Sequence, residues 1–257
     1  MISKIKKILF FTLLATLVVT FFTRNRYKNV NDIDSEVLKN PIQEEIKGKD
    51  EIRFTKNSYE YELTSLYDYE INGLIVHKMD YTFFSLYKYD SVFPMDLCML
   101  WGNNVKNKVY QSKTLKFSQD MRWCFCQWRG KIDFNSDEFS NNHLIVNNHE
   151  IEKKIKALSV GDQVKIKGQL VDVKANNRGS SGQYDPEYFE MKTSTERDDS
   201  GAGACEIIYV EDIEILKKSN PISYYLFKIS FYGLILFIVI SVLLFFLDKE
   251  PKEESEF

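Results

Sequence analysis

The uncharged apolar run Ile229–Leu247 constrains this chain more than any other part of it. At 1.5 Å per residue, a helix of this length spans about 28 Å, which is close to the hydrocarbon thickness of a bilayer. The Tyr224–Tyr225 pair precedes the run, as interfacial aromatic residues do. A buried core helix is the alternative, but such a helix is seldom this long and apolar on every face. We therefore predict a transmembrane helix within residues 222–247 and a disordered polar tail over residues 248–257.

The N-terminus carries a second apolar segment, Ile8–Phe22, behind a basic Lys-Ile-Lys-Lys stretch. This combination is typical of either a signal peptide or a short signal anchor. Cleavage needs a small-x-small site, and the residues that follow Val19 offer none. We therefore expect residues 1–28 to form an uncleaved signal anchor that crosses the membrane, with Arg24 reaching the interface.

Two spans would place both termini on one side of the bilayer and the central residues on the other side. Basic residues flank the spans on both sides, so the positive-inside rule does not decide the orientation. The basic N-terminal stretch is typical of a translocation signal, and long domains cross a membrane largely regardless of their charge. We expect a cytoplasmic N-terminus and an extracytoplasmic central domain, with the lipid bilayer as a partner.

The charge balance argues against one class of partner. The formal net charge is −3, from 34 Lys and Arg against 37 Asp and Glu. A dedicated nucleic-acid-binding protein usually shows a basic excess, so no nucleic-acid partner is expected. Residues 29–56 are charged and poor in apolar clusters, which predicts a linker or membrane-proximal segment. The predicted β-rich domain covers residues 57–218.

Alternating apolar residues predict that this domain is mainly β. The Asn72-Gly73 pair lies in a Tyr-rich and Phe-rich stretch and predicts a hairpin turn. Strands are predicted over residues 121–129, 162–173 and 205–216, and a short strand is predicted over residues 187–195 in an otherwise long loop.

One helix is predicted after Asn148, which has the residue type of an N-cap. Ile151, Ile155 and Leu158 would lie on one face of this helix, and Gly161 follows its end. Gly168, inside the alternating strand 162–173, is typical of a bulge or of the bend of a small barrel. The predicted fold class is therefore α+β, mainly β: a small barrel-like domain, reminiscent of OB-type barrels, flanked by two transmembrane helices.

Four separated stretches carry a resemblance to known sequences: PMDLCMLWG (94–102), NNHLIVNN (141–148), VGDQVKIKGQLVDV (160–173) and TSTERDDSGAGACEIIYV (193–210). In this order they resemble a family of uncharacterised bacterial membrane-associated or exported proteins. That family has no established activity, so the resemblance implies no chemistry. The expected location is the bacterial inner (cytoplasmic) membrane.

The chain departs from the family pattern in two places. Asn103-Asn104 stand where a Met-Ser-Asp segment is expected, and residues 186–192 replace an expected Trp-Arg pair. If this surface is functional, its ligand would differ from that of the family.

The four cysteines leave several arrangements open. On the outer side of a membrane they would form disulfides, whereas in a reducing compartment they would be buried thiols. A zinc site could draw on them together with His143 and His149, but no second pair at structural zinc spacing accompanies Cys124 and Cys126. We predict no metal site and no cofactor.

The favoured disulfide joins Cys98 and Cys205, because both lie in the stretches that carry the resemblance. Cys124 and Cys126 are two residues apart on one predicted strand, so their side chains would point the same way and are poorly placed to pair with each other.

A nucleophilic site is the main catalytic candidate. It would use Cys205 as the thiolate and His143 as the base, with Asp96 or Asp199 orienting the imidazole. This site requires that the side chains converge in space. The alternative is a structural histidine that is hydrogen-bonded within the fold.

A ligand surface is the second candidate. Aromatic residues and Arg122 could stack against a base or a sugar ring, or could pack in the core; the aromatic residues are Trp101, Trp123, Phe125 and Trp128. The residues predicted to contact a ligand are Asp96, Trp101, Asn141, His143, Arg197 and Asp199.

The leading functional prediction is a membrane-tethered, non-enzymatic β-domain that binds a protein or an envelope ligand, with a membrane or envelope protein as its partner. It depends on the double anchor, the near-neutral charge and the lack of a catalytic signature in the sequence. The alternative is a membrane-anchored hydrolase that uses His143 with Cys205 or an acidic residue.

Overall fold

A computed structural model describes residues 2–48, 50–82, 91–120, 122–179, 185–199, 201 and 204–247. The chain divides into two compact units, a helical unit (residues 1–26 and 220–257) and a central domain (Tyr27–Ser219). The fold is α+β and mainly β, with a large mixed sheet and two apolar terminal helices. The predicted fold class is confirmed at this level.

The helical unit consists of α1 (Ile2–Thr23) and α4 (Pro221–Leu247), and both helices are long and apolar enough to span a membrane. They pack against each other where their side chains are small: Gly233 faces Leu13, and the hydroxyls of Thr23 and Ser223 lie 2.9 Å apart. Small residues let helix backbones approach closely in lipid, where apolar burial does not drive association. The predicted terminal helices are confirmed, and their membrane topology is an expectation.

Within the described residues, eight strands form one sheet and two more form a separate hairpin. The large sheet contains β1 (Ile42–Glu45), β2 (Glu51–Lys56), β3 (Tyr59–Asp80), β4 (Met95–Leu100), β7 (Phe139–Ile145), β8 (Gln163–Asn177), β9 (Tyr188–Met191) and β10 (Glu206–Lys217). The hairpin contains β5 (Lys116–Asp120) and β6 (Trp123–Gln127). The predicted strands over 162–173, 187–195 and 205–216 are confirmed, and so is the strand within 121–129 over Trp123–Gln127.

Five strands of the large sheet pair in a closed circuit. β3 pairs with β4, β4 with β7, β7 with β10, β10 with β8, and β8 returns to β3. All of these pairings are antiparallel except that of β7 with β10, which is parallel. The parallel pair requires a crossover, and the segment between β7 and β8 contains the helix α3 (His149–Lys156).

The core lies between this circuit and α3. Ile155 and Leu158 are buried against apolar side chains of the circuit, among them Met95, Leu97 and Ile208. The Asn148 side chain accepts hydrogen bonds from the backbone N–H groups of Glu150 and Ile151, which confirms the predicted N-cap. Alternation along β4 directs Asp96, Cys98 and Leu100 to the opposite face of the strand.

That opposite face is covered by the segment between β4 and β7. The segment contains α2 (Gly102–Lys106), two short 3-10 helices (Val109–Gln111 and Ser136–Glu138) and the β5–β6 hairpin. Val105, Leu115 and Phe117 pack against Cys98 and Leu100. β4 is consequently buried on both faces.

The hairpin turn predicted at Asn72-Gly73 is wrong. β3 runs without interruption through both residues. A Cβ at Gly73 would lie 2.8 Å from Cε of Met99 and 3.1 Å from the Leu100 carbonyl oxygen, so the glycine permits close packing of β4. The actual turn joins β2 to β3 at Asn57 (φ 47) and Ser58 (φ 69), both in the left-handed region that two-residue hairpins require.

Residues 29–56, predicted to be a linker or membrane-proximal segment, contribute β1 and β2 to the sheet. Both strands pair with β3. Their exposed edge positions carry charged residues, which explains why the sequence lacks apolar clusters there.

Gly168 lies beside an irregularity in the strand ladder, in agreement with the predicted bulge. A Cβ at this position would lie 2.0 Å from the Tyr209 carbonyl oxygen. The register of β10 against β8 shifts next to it, between Val210 and Asp212. The register shift therefore coincides with a residue that has no side chain.

The two ends of the central domain adjoin each other. Gly161 (φ +92) lies against both: a Cβ there would be 2.3 Å from Ser219 Oγ and 3.2 Å from Tyr27 Cα. Asp162 fixes the C-terminal end, since its carboxylate accepts from the Ser219 N–H at 3.0 Å and from Lys218 Nζ at 2.7 Å. The chain thus enters and leaves the domain at one place.

Candidate functional site

Two buried side chains of opposite charge lie side by side on β4 and β7. The antiparallel register places Asp96 directly opposite His143, so both project from the same face. Asp96 Oδ1 lies 2.9 Å from His143 Nδ1, and both side chains are almost fully buried. Burying a carboxylate without partners costs free energy, and the nearby imidazole offsets part of that cost.

Two further donors complete the surroundings of Asp96. The Tyr81 hydroxyl donates to Asp96 Oδ2 at 2.7 Å, and Arg122 Nη1 lies 3.3 Å from Asp96 Oδ1. Arg122 directly precedes β6 and has φ 69, so its backbone is in the left-handed region. Its guanidinium points inward over the rings of Tyr81 and Phe93, at 4.5 and 4.4 Å from their centroids. The hairpin therefore contributes a cation to the sheet face that it covers.

Cys205 joins the same group from the third neighbouring strand. It directly precedes β10, whose parallel register against β7 pairs Glu206 with Asn142. Asn141 Nδ2 donates to Cys205 Sγ at 3.2 Å and to the Arg122 carbonyl at 2.6 Å. We call this set the outer cluster: Tyr81, Asp96, Arg122, Asn141, His143 and Cys205.

The electrostatics of the outer cluster favour a charged histidine. Burial lowers the pKa of the His143 imidazole, but the adjoining Asp96 charge and the hydrogen bond with Cys205 outweigh burial and raise this pKa to about 9. His143 is then an imidazolium at neutral pH. Burial is the largest single effect, and the opposite charge of Asp96 outweighs it only together with the hydrogen-bonding neighbours of the imidazole.

A second buried group, not predicted from the sequence, contains Glu206. Arg197 Nη1 lies 3.8 Å from Glu206 Oε1 and donates to the Tyr69 hydroxyl at 2.9 Å, and Arg197 Nη2 donates to Gln43 Oε1 at 3.1 Å. Because successive residues of a strand point to opposite faces, Glu206 projects away from Cys205. We call Gln43, Tyr69, Arg197 and Glu206 the inner cluster.

Glu206 is poorly compensated. Its Oε2 atom has no hydrogen-bond partner among the residues that the structure describes. Burial raises the pKa of the Glu206 carboxyl, the Arg197 charge lowers it, and the balance is about 7. The Glu206 carboxyl is therefore partly protonated near neutral pH.

The structure divides the predicted ligand-binding residues between the two clusters. Asp96, Asn141 and His143 belong to the outer cluster, and Arg197 belongs to the inner one. Trp101 is buried, with the Arg197 guanidinium 5.8 Å from its ring centroid. Asp199 is exposed and accepts a hydrogen bond from the Ser194 hydroxyl. Asp96, not Asp199, is therefore the carboxylate in contact with His143.

The predicted Cys98–Cys205 disulfide is wrong. Cys98 on β4 lies at disulfide-bonding distance from Cys124 on β6, with 6.0 Å between the Cα atoms, and Cys126 and Cys205 are free. Cys124 and Cys126 do point the same way, toward the covered sheet face. The crosslink therefore fastens the hairpin to β4. Within the described ranges, no group of three or more His, Cys, Asp or Glu side chains could hold a metal ion.

Three aromatic side chains on or next to β6 are exposed. Trp123, Phe125 and Trp128 are 39, 42 and 48% exposed. An open groove beside Trp128 is lined by basic and polar residues: Lys113, Thr114, Lys116, Gln127 and Arg129. Exposed aromatic side chains grouped with cations are typical of binding surfaces.

Comparison of the chain with family models, curated proteins and solved structures gave no match.

Proposed function

We propose that this chain is a membrane-anchored OB-type domain that binds an anionic sugar polymer of the cell envelope through the outer face of the β5–β6 hairpin. The observation that carries the proposal is a groove in which the exposed Trp128 lies beside three cations, on a hairpin whose Trp123 and Phe125 are also exposed. Within the described ranges, no ion pair involves Lys113, Lys116 or Arg129.

The strand circuit supports an OB-type barrel. Its strands follow the order first, second, third, fifth and fourth, closing on the first, and α3 lies between the third and the fourth. OB-type barrels bind oligonucleotides and oligosaccharides on the face of their second and third strands. Here β4 and β7 hold those positions, and the hairpin covers them. The hairpin therefore presents a new surface where such a barrel ordinarily binds.

The chemistry of the hairpin surface selects the ligand class. Indole and phenyl rings offer flat apolar faces for sugar rings, and Lys and Arg bind carboxylate or phosphate groups. A groove elsewhere on the domain, at Arg53 and Arg178, lacks this capacity because its cations are already paired. Arg53 lies 2.7 Å from Glu51, and Arg178 lies 2.7 Å from Glu60.

Asp96 and Asn141, two of the predicted ligand-binding residues, are buried and have a supporting role in this proposal. The Asp96 carboxylate accepts from the Arg122 guanidinium, and the Asn141 side-chain amide donates to the Arg122 backbone carbonyl, so both fix the base of the hairpin. The Cys98–Cys124 crosslink fits an oxidising compartment, which supports an extracytoplasmic domain on a bacterial inner membrane.

Tryptophan fluorescence of the full-length protein in nanodiscs of uncharged lipid tests the proposal, because two of the three tryptophans lie on the hairpin surface. We expect a polygalacturonate oligosaccharide to quench this emission and a neutral dextran oligosaccharide to leave it unchanged. The double variant Lys116→Glu/Arg129→Glu should weaken binding at least about tenfold, since charge-assisted contacts each contribute 1 kcal/mol or more.

Two matched controls use residues outside the hairpin. Tyr188→Ala removes an exposed aromatic ring from β9, and Arg178→Gln removes a cation that is already paired; both variants should bind as the parent does. Equal binding by the Lys116→Glu/Arg129→Glu variant would contradict the proposal. Binding to anionic lipid vesicles with no response to the oligosaccharide would instead assign the surface to the membrane.

A further inference from the structure

The groove beside Trp128 lies next to the segment through which the chain enters the central domain. We call it the hairpin groove and define it by the residues that line it: Lys113, Thr114, Lys116, Gln127, Trp128 and Arg129. Lys28, the second residue of the domain, donates from Nζ to the Ser112 carbonyl at 2.7 Å and to the Leu115 carbonyl at 2.8 Å. These two carbonyls bracket Lys113 and Thr114, so the entry segment is bound to one side of the groove.

Further contacts fix the entry segment to the same part of the domain. The Tyr27 ring packs against Phe117 of β5, with 5.7 Å between the ring centroids. The Val30 carbonyl accepts from the Tyr110 hydroxyl and from Gln111 Nε2, each at 2.7 Å. The hairpin groove therefore has a fixed position relative to the point at which the domain begins.

The chain offers little length between this point and the apolar helices. α1 ends at Thr23, and the step from there to Tyr27 covers four residues, which extend over at most about 14 Å. On the exit side, α4 begins at Pro221, two residues after Ser219. Where these two helices cross a bilayer, the short connections keep the entry segment, and the groove bound to it, close to the membrane surface.

The hairpin groove combines a fixed aromatic ring with cations. Trp128 is half-exposed, and its ring packs beside Phe134 with 5.5 Å between the centroids, so the ring is held in the domain surface. A flat apolar ring of this kind suits the face of a sugar. The exposed side chains of Lys113, Lys116 and Arg129 suit a carboxylate or a phosphate. A bare phospholipid headgroup would use the cations and leave the indole ring without a partner.

We propose that the hairpin groove binds the headgroup of an anionic glycolipid in the membrane that anchors the chain. This inference rests on the proposed function and names the bilayer as the source of the sugar ligand, so that the envelope polymer is engaged at its lipid-linked end. A glycan that is linked to lipid is confined to the surface beside the groove. Its effective concentration there exceeds that of the same glycan in solution.

Competition in nanodiscs tests this inference with the full-length protein. The nanodiscs contain uncharged lipid with a small share of one test lipid: a diacylglycerol that carries a hexuronic acid, a diacylglycerol that carries glucose, or phosphatidylglycerol, which has the charge without the sugar ring. Tryptophan emission follows the binding of free polygalacturonate oligosaccharide. We expect the hexuronic acid lipid to raise the oligosaccharide concentration for half-maximal quenching at least about tenfold more than either other lipid does.

A spaced variant separates proximity to the membrane from the chemistry of the groove. It carries one Pro-rich segment between Arg26 and Tyr27 and another between Ser219 and Asn220, each of about twelve residues and about 37 Å long in the polyproline II form. We expect this variant to bind the free oligosaccharide as the parent does, and the hexuronic acid lipid to compete no longer. The matched control carries the same segment after Lys252, beyond α4, and should behave as the parent does.

The possible results separate this inference from the proposed function. Equal competition by phosphatidylglycerol and the hexuronic acid lipid would assign the groove to phospholipid and overturn the inference. Binding of the free oligosaccharide without competition from the hexuronic acid lipid would also overturn it and leave the proposed function intact. Competition that persists in the spaced variant would argue equally against it. A protein that binds neither the free nor the lipid-linked sugar would contradict the proposed function itself.

Discussion

The outer and inner clusters lie on the two sides of the same strand end. They differ in how many partners surround the buried carboxyl group of each. Asp96 in the outer cluster accepts from Tyr81 and Arg122, and its Oδ1 lies 2.9 Å from His143 Nδ1. Glu206 in the inner cluster has one distant cation and an oxygen without a described partner. The poorly paired Glu206 carboxyl, whose pKa is raised to about 7, therefore takes up a proton readily.

The largest expected difference between the clusters is in stability. Asp96→Ala should lower the free energy of unfolding by about 3–5 kcal/mol, because it leaves Arg122 and His143 buried without their anion. Glu206→Gln should change it by less than about 1 kcal/mol, because it removes a charge that is poorly compensated. Denaturant unfolding of the full-length protein in detergent, followed by tryptophan fluorescence, measures both. Similar losses in the two variants would show that the clusters do not differ.

The two clusters should affect the free energy of unfolding in different pH ranges. The pKa of Glu206 is raised from 4.5 to about 7, so its stabilising contribution is present below pH 4.5 and is lost as the pH rises through 7. The pKa of His143 is raised from 6.5 to about 9, so its contribution is present below pH 6.5 and is lost as the pH rises through 9. Each loss amounts to about 3 kcal/mol at most.

Single variants assign these two ranges. Glu206→Gln should flatten the stability profile between pH 4.5 and pH 7 and leave the higher range unchanged. His143→Gln should do the reverse, flattening the profile between pH 6.5 and pH 9. Unfolding midpoints measured across both ranges test this, and a slope that survives in the matching variant would contradict the assignment.

The smallest expected effect comes from a matched pair of hydroxyl deletions. Tyr81→Phe removes a donor to the Asp96 carboxylate and should cost about 2 kcal/mol, since hydrogen bonds to buried charges are the stronger kind. Tyr69→Phe removes an acceptor from Arg197, which is partly exposed, and should cost about 1 kcal/mol or less. Thermal unfolding of the two variants side by side gives the comparison, and the reverse order of losses would argue against it.

The sequence predicted the elements that depend on local patterns. The N-cap at Asn148, the alternating strand with Gly168 and the apolar terminal helices each carry their signal within a few residues. The Asn72-Gly73 turn was mispredicted because the same dipeptide also permits close strand packing, and only the position of Met99 distinguishes the two roles. β1 and β2 were missed since edge strands bear charged residues.

The candidate site was predicted in part. His143, Cys205 and Asp96 were proposed together from residue type, but their convergence depends on the register of three strands that are distant in sequence. The partner of Cys98 depends on where the hairpin folds back, which no spacing rule gives. Glu206 does carry a sequence signal: an acidic residue directly before the apolar run 207–210.

The meeting of Tyr27 and Ser219 beside Gly161 makes the central domain a cassette inserted into a helical hairpin. Domains whose termini adjoin can be inserted or exchanged without disturbing the host element, because neither connection has to be lengthened. The helix pair thus needs nothing from the domain except two neighbouring attachment points. Another module with equally close ends could be carried by the same anchor, and this domain could be carried by a different one.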